Sequence, residues 1–358
     1  MSGGGSAGMA GAGASGGGAG GASGGMSGGG AGGASGGMSG SAGSSGNAGA
    51  GGGGPSGLQP KQSLIWIWLD YKNSIDAVVK NKKSFTHVSP ALYNLNYNYT
   101  SGTPHFVGDM DSFSGMTSKA VATAIHAGGL KVVPLMYAGA GNFGTDQGIQ
   151  NVLNDSPPGT QKNFIDATIA EATAKGYDGW NLDWEVDGGG TNFNDYGAKL
   201  ITFFTAYTAA LHQHNMVASF DAAGWFTRQC SSNGLVDLSK IGNSIDQLIM
   251  EDYSGKFGGP AKSCPATPPT TVSCDDNYLA EMNAMCNLPK NVANIGLISP
   301  DGGSGGTNKF AVDALNAVDL YGFRSVSLWP DSGSFINSSG VQNGSDWYKV
   351  LADWLAKP

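Results

Sequence analysis

The first 60 residues contain no Asp, Glu, Lys or Arg. They are almost wholly Gly, Ser and Ala with scattered Met, and the unit ASGGMSG at Ala22–Gly28 returns at Ala34–Gly40. Ordering such chain costs backbone entropy that its small side chains cannot offset by burial. Residues 1–60 are therefore expected to be a disordered, linker-like tether with no core of its own.

Other shortages narrow the function. Lys and Arg total 19 against 27 Asp and Glu, a net charge of -8 with a pI near 5.0. That balance argues against nucleic acid as a partner, because a phosphate backbone needs a basic face to displace its counterions. No run of 18 apolar residues appears, so no membrane span is expected. A basic n-region followed by an apolar h-region is also not visible near the start. The four cysteines, Cys230, Cys264, Cys274 and Cys286, lack the C-x-x-C spacing of a zinc or dithiol redox site. Two disulfides are the expectation instead, and they point to a secreted or surface-attached protein. If 275–287 is a helix, Cys274 and Cys286 stand ~18 Å apart along it, too far to bridge each other.

From Lys61 the composition changes to that of a globular chain and stays so to Pro358, with no internal linker. Residues 61–358 suit one large domain. Within it, short β-branched or aromatic runs alternate with longer helical patterns, as in parallel βα units. Strands are expected at 64–69, 87–92, 131–136, 179–184, 216–220, 247–250, 294–298 and 325–328. Helices are expected at 117–127, 161–175, 196–214, 277–285 and 309–321. Eight strands with helices between them make a (β/α)8 TIM barrel. A doubly wound sheet is the alternative, but the first strand runs into Asp70-Tyr71-Lys72 rather than a glycine-rich phosphate loop. In a barrel the site lies at the C-terminal ends of the strands, and polar or aromatic residues gather there: Asn94, Asn96, Tyr137, Asp183, Glu185, Asp221, Asp252, Tyr253 and Trp329.

The fourth strand poses the functional question. Tyr177–Glu185 reads YDGWNLDWE, apolar enough for a buried strand yet threaded with Asp178, Asn181, Asp183 and Glu185. Side chains alternate across a strand, so Asn181, Asp183 and Glu185 share one face and Trp180, Leu182 and Trp184 the other. The apolar set suits packing against helices, which makes Trp180 and Trp184 core residues rather than sugar platforms. A buried salt-bridge network would account for the acids, but the chain is poor in Lys and Arg and none lies within Tyr177–Glu185. Clustered carboxylates repel and hold on to protons, a cost that a catalytic role justifies.

At these residues the chain resembles glycoside hydrolase family 18, the chitinases and endo-β-N-acetylglucosaminidases, whose fourth-strand signature runs D-x-x-D-x-D-x-E. Asp178, Asp183 and Glu185 fall on three of its acidic positions and Asn181 on the remaining one. MEDY at Met250–Tyr253 is similar to the family's sixth-strand M-x-Y-D with Tyr and Asp exchanged. Trp329 in SLWPDSG resembles the eighth-strand tryptophan beneath the sugar, while PLMYAGAG stands where many members have S-x-G-G.

The resemblance implies retaining hydrolysis in which the substrate's own 2-acetamido group is the nucleophile. Glu185 is then the general acid. Asp183 orients the acetamido group and steadies the oxazolinium ion, and Tyr253, or Asp252, holds the acetamido oxygen. Asn181, Met250, Tyr137 and Trp329 complete the sugar site, with Asn181 able to donate a hydrogen bond to Asp183. Asp178 is expected to fix backbone. No metal or cofactor is implied; the expected partner is a polysaccharide or oligosaccharide, acted on by a monomer. Two alternatives stand beside this reading: a non-catalytic sugar-binding barrel, and an unrelated barrel glycosidase whose second carboxylate is Asp221 or Asp252.

Overall fold

The computed structural model describes residues 60–67, 71–98, 103–107, 116–139, 145–185, 196–222, 227–231, 234–251, 260–274, 278–298, 308–329 and 345–358. The expected tether lies outside the described residues, apart from its last position.

Strands β1 (Gln62–Ile67), β2 (His87–Asn98), β4 (Lys131–Val132) with β5 (Leu135–Gly139), β6 (Gly179–Glu185), β7 (Val217–Ala222), β8 (Gln247–Met250), β9 (Ala293–Ile298) and β10 (Ser325–Trp329) pair in parallel. The order β1-β10-β9-β8-β7-β6-β5-β2 closes through β1 pairing with β2, giving an eight-stranded barrel. Each of the eight expected strands is present, with ends shifted by a few residues. The third is split in two around Val133-Pro134, where proline has no N–H for the ladder. Beyond the expected end of the second strand, β2 continues to Asn98 and pairs antiparallel with β3 (Thr103–Val107).

Helices α1 (Tyr71–Lys80), α2 (Ser118–Ala127), α3 (Thr145–Asn154), α4 (Thr160–Lys175), α5 (Tyr196–His212), α6 (Leu238–Ile241), α7 (Tyr278–Met285), α8 (Asn308–Tyr321) and α9 (Ser345–Leu355) follow the strands. Thr117 caps α2 through a hydroxyl that accepts from Ala120 N–H at 3.2 Å. Gly176 ends α4 with φ 82°, its N–H returning to Ala172 O, a left-handed stop that glycine adopts without strain. Three residues later β6 begins at Gly179, where a Cβ would stand 2.1 Å from Val217 O. That glycine lets β6 and β7 approach closely at the point where the acidic strand starts.

Trp180 and Trp184 lie on the helix side of β6 and are fully buried. The Trp180 indole donates to Thr168 O in α4 at 3.0 Å, and Trp184 stacks on Phe203 of α5 at 5.2 Å. Each such ring contributes roughly 1.5–3 kcal/mol by leaving water. Together they set the rotation of β6 about its axis, and hence which residues face inward.

The cysteines form two disulfides, Cys230–Cys274 and Cys264–Cys286. They tie the segment after β7 to the segment after β8, and that in turn to the end of α7. Replacing Cys230 and Cys274 with Ser opens a bridge of sequence separation 44 and is expected to cost about 2–4 kcal/mol, read as a lower urea midpoint. An unchanged midpoint would mean the barrel alone fixes these segments.

Candidate active site

The barrel interior is built in layers. Near the N-terminal ends, Ser327 donates to Asn294 at 2.9 Å, Asn294 to Gln247 at 3.1 Å, and Gln247 to Gln62. Above this chain Leu64, Trp66, Val133, Leu135 and Ile249 form a small apolar plug. The C-terminal side of the plug is where the acids collect.

Asn181 stands at that boundary, fully buried. Its Oδ1 accepts from the Trp66 indole N–H at 2.8 Å and from the Ser89 hydroxyl at 3.0 Å. An indole N–H only donates, so the oxygen must face Trp66 and the NH2 must point away. The NH2 donates to Asp221 Oδ1 at 2.6 Å. The sequence reading aimed this amide at Asp183; the two donors on its oxygen direct it to Asp221 instead.

Asp183 and Asp221 are cross-strand register partners on β6 and β7, and both are buried. The carboxylate of Glu251, just past β8, completes a group whose oxygens lie within 4.8 Å of one another. A shared proton relieves the repulsion of carboxylates this close. Oxygen donors at such spacing also suit a hard divalent cation.

Tyr137 is register partner to Asp183 from the other side, and it packs against the apolar plug with Trp329. Trp329 meets Trp66 edge to face at 6.0 Å. Asp178 sits below the strand: its Oδ2 accepts from Val132 N–H at 2.7 Å and contacts His126 Nε2 at 2.8 Å. It thus joins the start of β6 to β4.

Asn181, Asp183, Tyr137 and Trp329 therefore come together. Met250 does not. It is buried in the layer between sheet and helices, because on β8 Gln247 and Ile249 face inward while Leu248 and Met250 face outward. The same alternation turns Glu251 inward, a residue that reading MEDY as a block passed over. Glu185 closes β6 opposite Gly139 in the ladder; its side chain lies outside the described residues, as do Asp252 and Tyr253. Trp66 and Ser89 were also missed, although their inward positions follow from strand alternation alone.

No family model matches the sequence. A class V chitinase of Arabidopsis thaliana is 28% identical over 117 residues, 33% of this chain and 30% of that protein. The chain thus spans under a third of the length of the curated relative it matches. Among solved structures, catalytic domain 2 of the Ostrinia furnacalis Group II chitinase superposes with a TM-score of 0.61 at 12% identity, over 82% of this chain and 96% of that one. The two share the (β/α)8 barrel fold. A class V chitinase from Nicotiana tobaccum, solved in complex with NAG4, gives a TM-score of 0.56 at 12% identity, over 84% and 99%.

In this barrel, the Asn181 amide puts a donor where an aspartate would set a fourth carboxylate beside Asp183, Asp221 and Glu251. Asn181→Asp turns a 2.6 Å hydrogen bond to Asp221 into a like-charge contact, which holds a proton and raises the folded-state pKa of the pair. A folded carboxyl with a raised pKa loses stability as pH rises. The variant should melt well below wild type at neutral pH, and the deficit should shrink as pH falls toward about 4. A pH-independent deficit would place the side chain elsewhere.

Proposed function

We propose that the protein is a glycoside hydrolase acting on β-linked N-acetylglucosamine glycans of the chitin type, with the substrate's 2-acetamido group as nucleophile. The observation that carries the reading is the inward face of β6, with Asn181 locked by Trp66 and Asp183 beside Tyr137; Glu185 is the last residue of that strand. A chitinase-type barrel holding a bound N-acetylglucosamine oligomer elsewhere supports the substrate class.

In this reading Glu185 protonates the glycosidic oxygen as the bond to the anomeric carbon breaks. The acetamido oxygen attacks that carbon from the opposite face and forms a cyclic oxazolinium ion. Asp183 accepts the hydrogen bond of the acetamido N–H and offsets the growing positive charge, which raises the nucleophilicity of the acetamido oxygen. Water, deprotonated by Glu185, then opens the ring with retention. Trp329 supplies an aromatic face beneath the sugar and Tyr137 a hydroxyl beside Asp183.

The carboxylates of Asp221 and Glu251 stand beside Asp183, and the Asn181 amide donates to Asp221. Asp252 and Tyr253 are further candidates for the acetamido oxygen. The protein is expected to work as a monomer, outside the cell or on its surface, without a cofactor.

Two measurements test the reading. Glu185→Gln keeps the shape and loses the proton, so kcat on chitin oligomers should fall by about 10²-fold or more while KM changes little. Activity near wild type would remove Glu185 from the role of general acid. A matched pair of oligomers with and without N-acetyl groups separates the mechanisms. Only the acetylated one should be cut; equal cleavage would favour two protein carboxylates, with Asp221 as the second.

A further inference from the structure

The opposite end of the barrel carries a second feature that the proposed chemistry does not use. A cavity of about 210 Å³ opens at the N-terminal ends of the strands, lined among others by Gln62, His87, Lys131, Asp246, Gln247 and Arg324. Leu64 and Val133 also line it and belong to the apolar plug. The plug therefore separates this cavity from the carboxylates at the other end.

Its chemistry is set by His87, which is only 8% exposed. The Thr86 hydroxyl accepts from Ser63 N–H at 2.9 Å, donates to Ser63 O at 2.8 Å, and lies 2.8 Å from His87 Nδ1. We assign the hydroxyl hydrogen to the Ser63 carbonyl, and on that assignment the hydroxyl meets Nδ1 as an acceptor. The ring hydrogen then sits on Nδ1, and Nε2 keeps a lone pair. Nε2 takes no partner from the described residues, and His87 lines the cavity.

Lys131, the register partner of His87 on the neighbouring strand, brings positive charge. Its ammonium enters no ion pair among the described residues. The carboxylate of Asp246 also lines the cavity, with its oxygens engaged by His212 Nε2 and Ala218 N–H at 2.8 and 2.9 Å. Arg324 adds a second cation at the rim, anchored to Pro358 O at 3.2 Å. Burial first, then Lys131, push the pKa of His87 down to about 4, against a smaller opposing effect of Asp178. The imidazole is thus neutral at physiological pH, an acceptor fixed beside a cation.

A ligand for this arrangement needs a negative charge for Lys131 and Arg324 and one hydrogen to give to His87 Nε2. The geometry points to a binding site at the N-terminal mouth of the barrel for a small oxyanion that keeps a hydroxyl group, of which hydrogenphosphate is the simplest. Sulfate has the same shape and the same charge, but no hydrogen to donate. A buried acceptor left unpaired makes a site reject such an analogue.

That difference is the test. The full chain is titrated with phosphate and, separately, with sulfate at equal ionic strength and at about pH 7.5, where hydrogenphosphate is the main phosphate species. The His87 imidazole is followed by NMR and assigned by its loss in His87→Asn. Phosphate should give a saturable shift, with sulfate weaker by about tenfold or more. Lys131→Gln should weaken phosphate several-fold while cleavage of chitin oligomers stays at the wild-type level. His87→Asn, which can keep the bond to Thr86 but loses Nε2, should erase the preference for phosphate over sulfate. Equal responses to the two anions, or no saturable response to phosphate, would overturn the site. Calorimetric titration of wild type and Lys131→Gln with the two anions needs no assignment and decides the matter even if the His87 variant does not fold.

Discussion

The hydrogen bond from the Trp66 indole to Asn181 is the constraint on which the acidic end of the barrel depends. It fixes which way a symmetric-looking amide points, and so turns a neutral donor toward Asp221 rather than an acceptor. The Asn181 amide is thereby a donor placed against the group of Asp183, Asp221 and Glu251. Buried carboxylates are tolerated when such groups are placed to stabilise them, and here the stabilising group comes from the middle of β6 itself. The strand that supplies the proposed catalytic acids also supplies the amide that makes their proximity affordable.

The rest of β6 follows from which side of the strand each residue occupies. Trp180 and Trp184 are clamped against α4 and α5, so Asn181 and Asp183 face inward. The close approach of β7 at Gly179 then brings Asp221 level with Asp183. Polar groups thus occupy both ends of the barrel, with an apolar plug between them that keeps their chemistry apart.

Much of this was legible in the sequence where a pattern was local. The alternation in YDGWNLDWE gave the faces of β6, and the regular βα succession gave eight strands. The disulfide reading excluded Cys274–Cys286, and the pairing found is compatible with that exclusion. What was not legible came from contacts between distant strands. The Asn181 amide could be assigned only once Trp66 and Ser89, over 90 residues away in sequence, were beside it. Met250 was misplaced because MEDY was matched as a motif rather than counted as a strand, and counting inward positions from Gln247 leads to Glu251. α9 is amphipathic but follows a polar, glycine- and serine-rich stretch, which hid its start. β3 is short and exists as a strand because β2 extends to pair with it.

The most direct test of the central claim is binding of N-acetylglucosamine thiazoline, the stable sulfur analogue of the cyclic oxazolinium ion. If Asp183 supports an acetamido nucleophile, the compound should bind saturably and compete with chitin oligomers, and Asp183→Asn should weaken it by about tenfold or more, the loss of one charge-assisted hydrogen bond. A protein that cleaves chitin oligomers yet neither binds the thiazoline nor is inhibited by it would contradict the account.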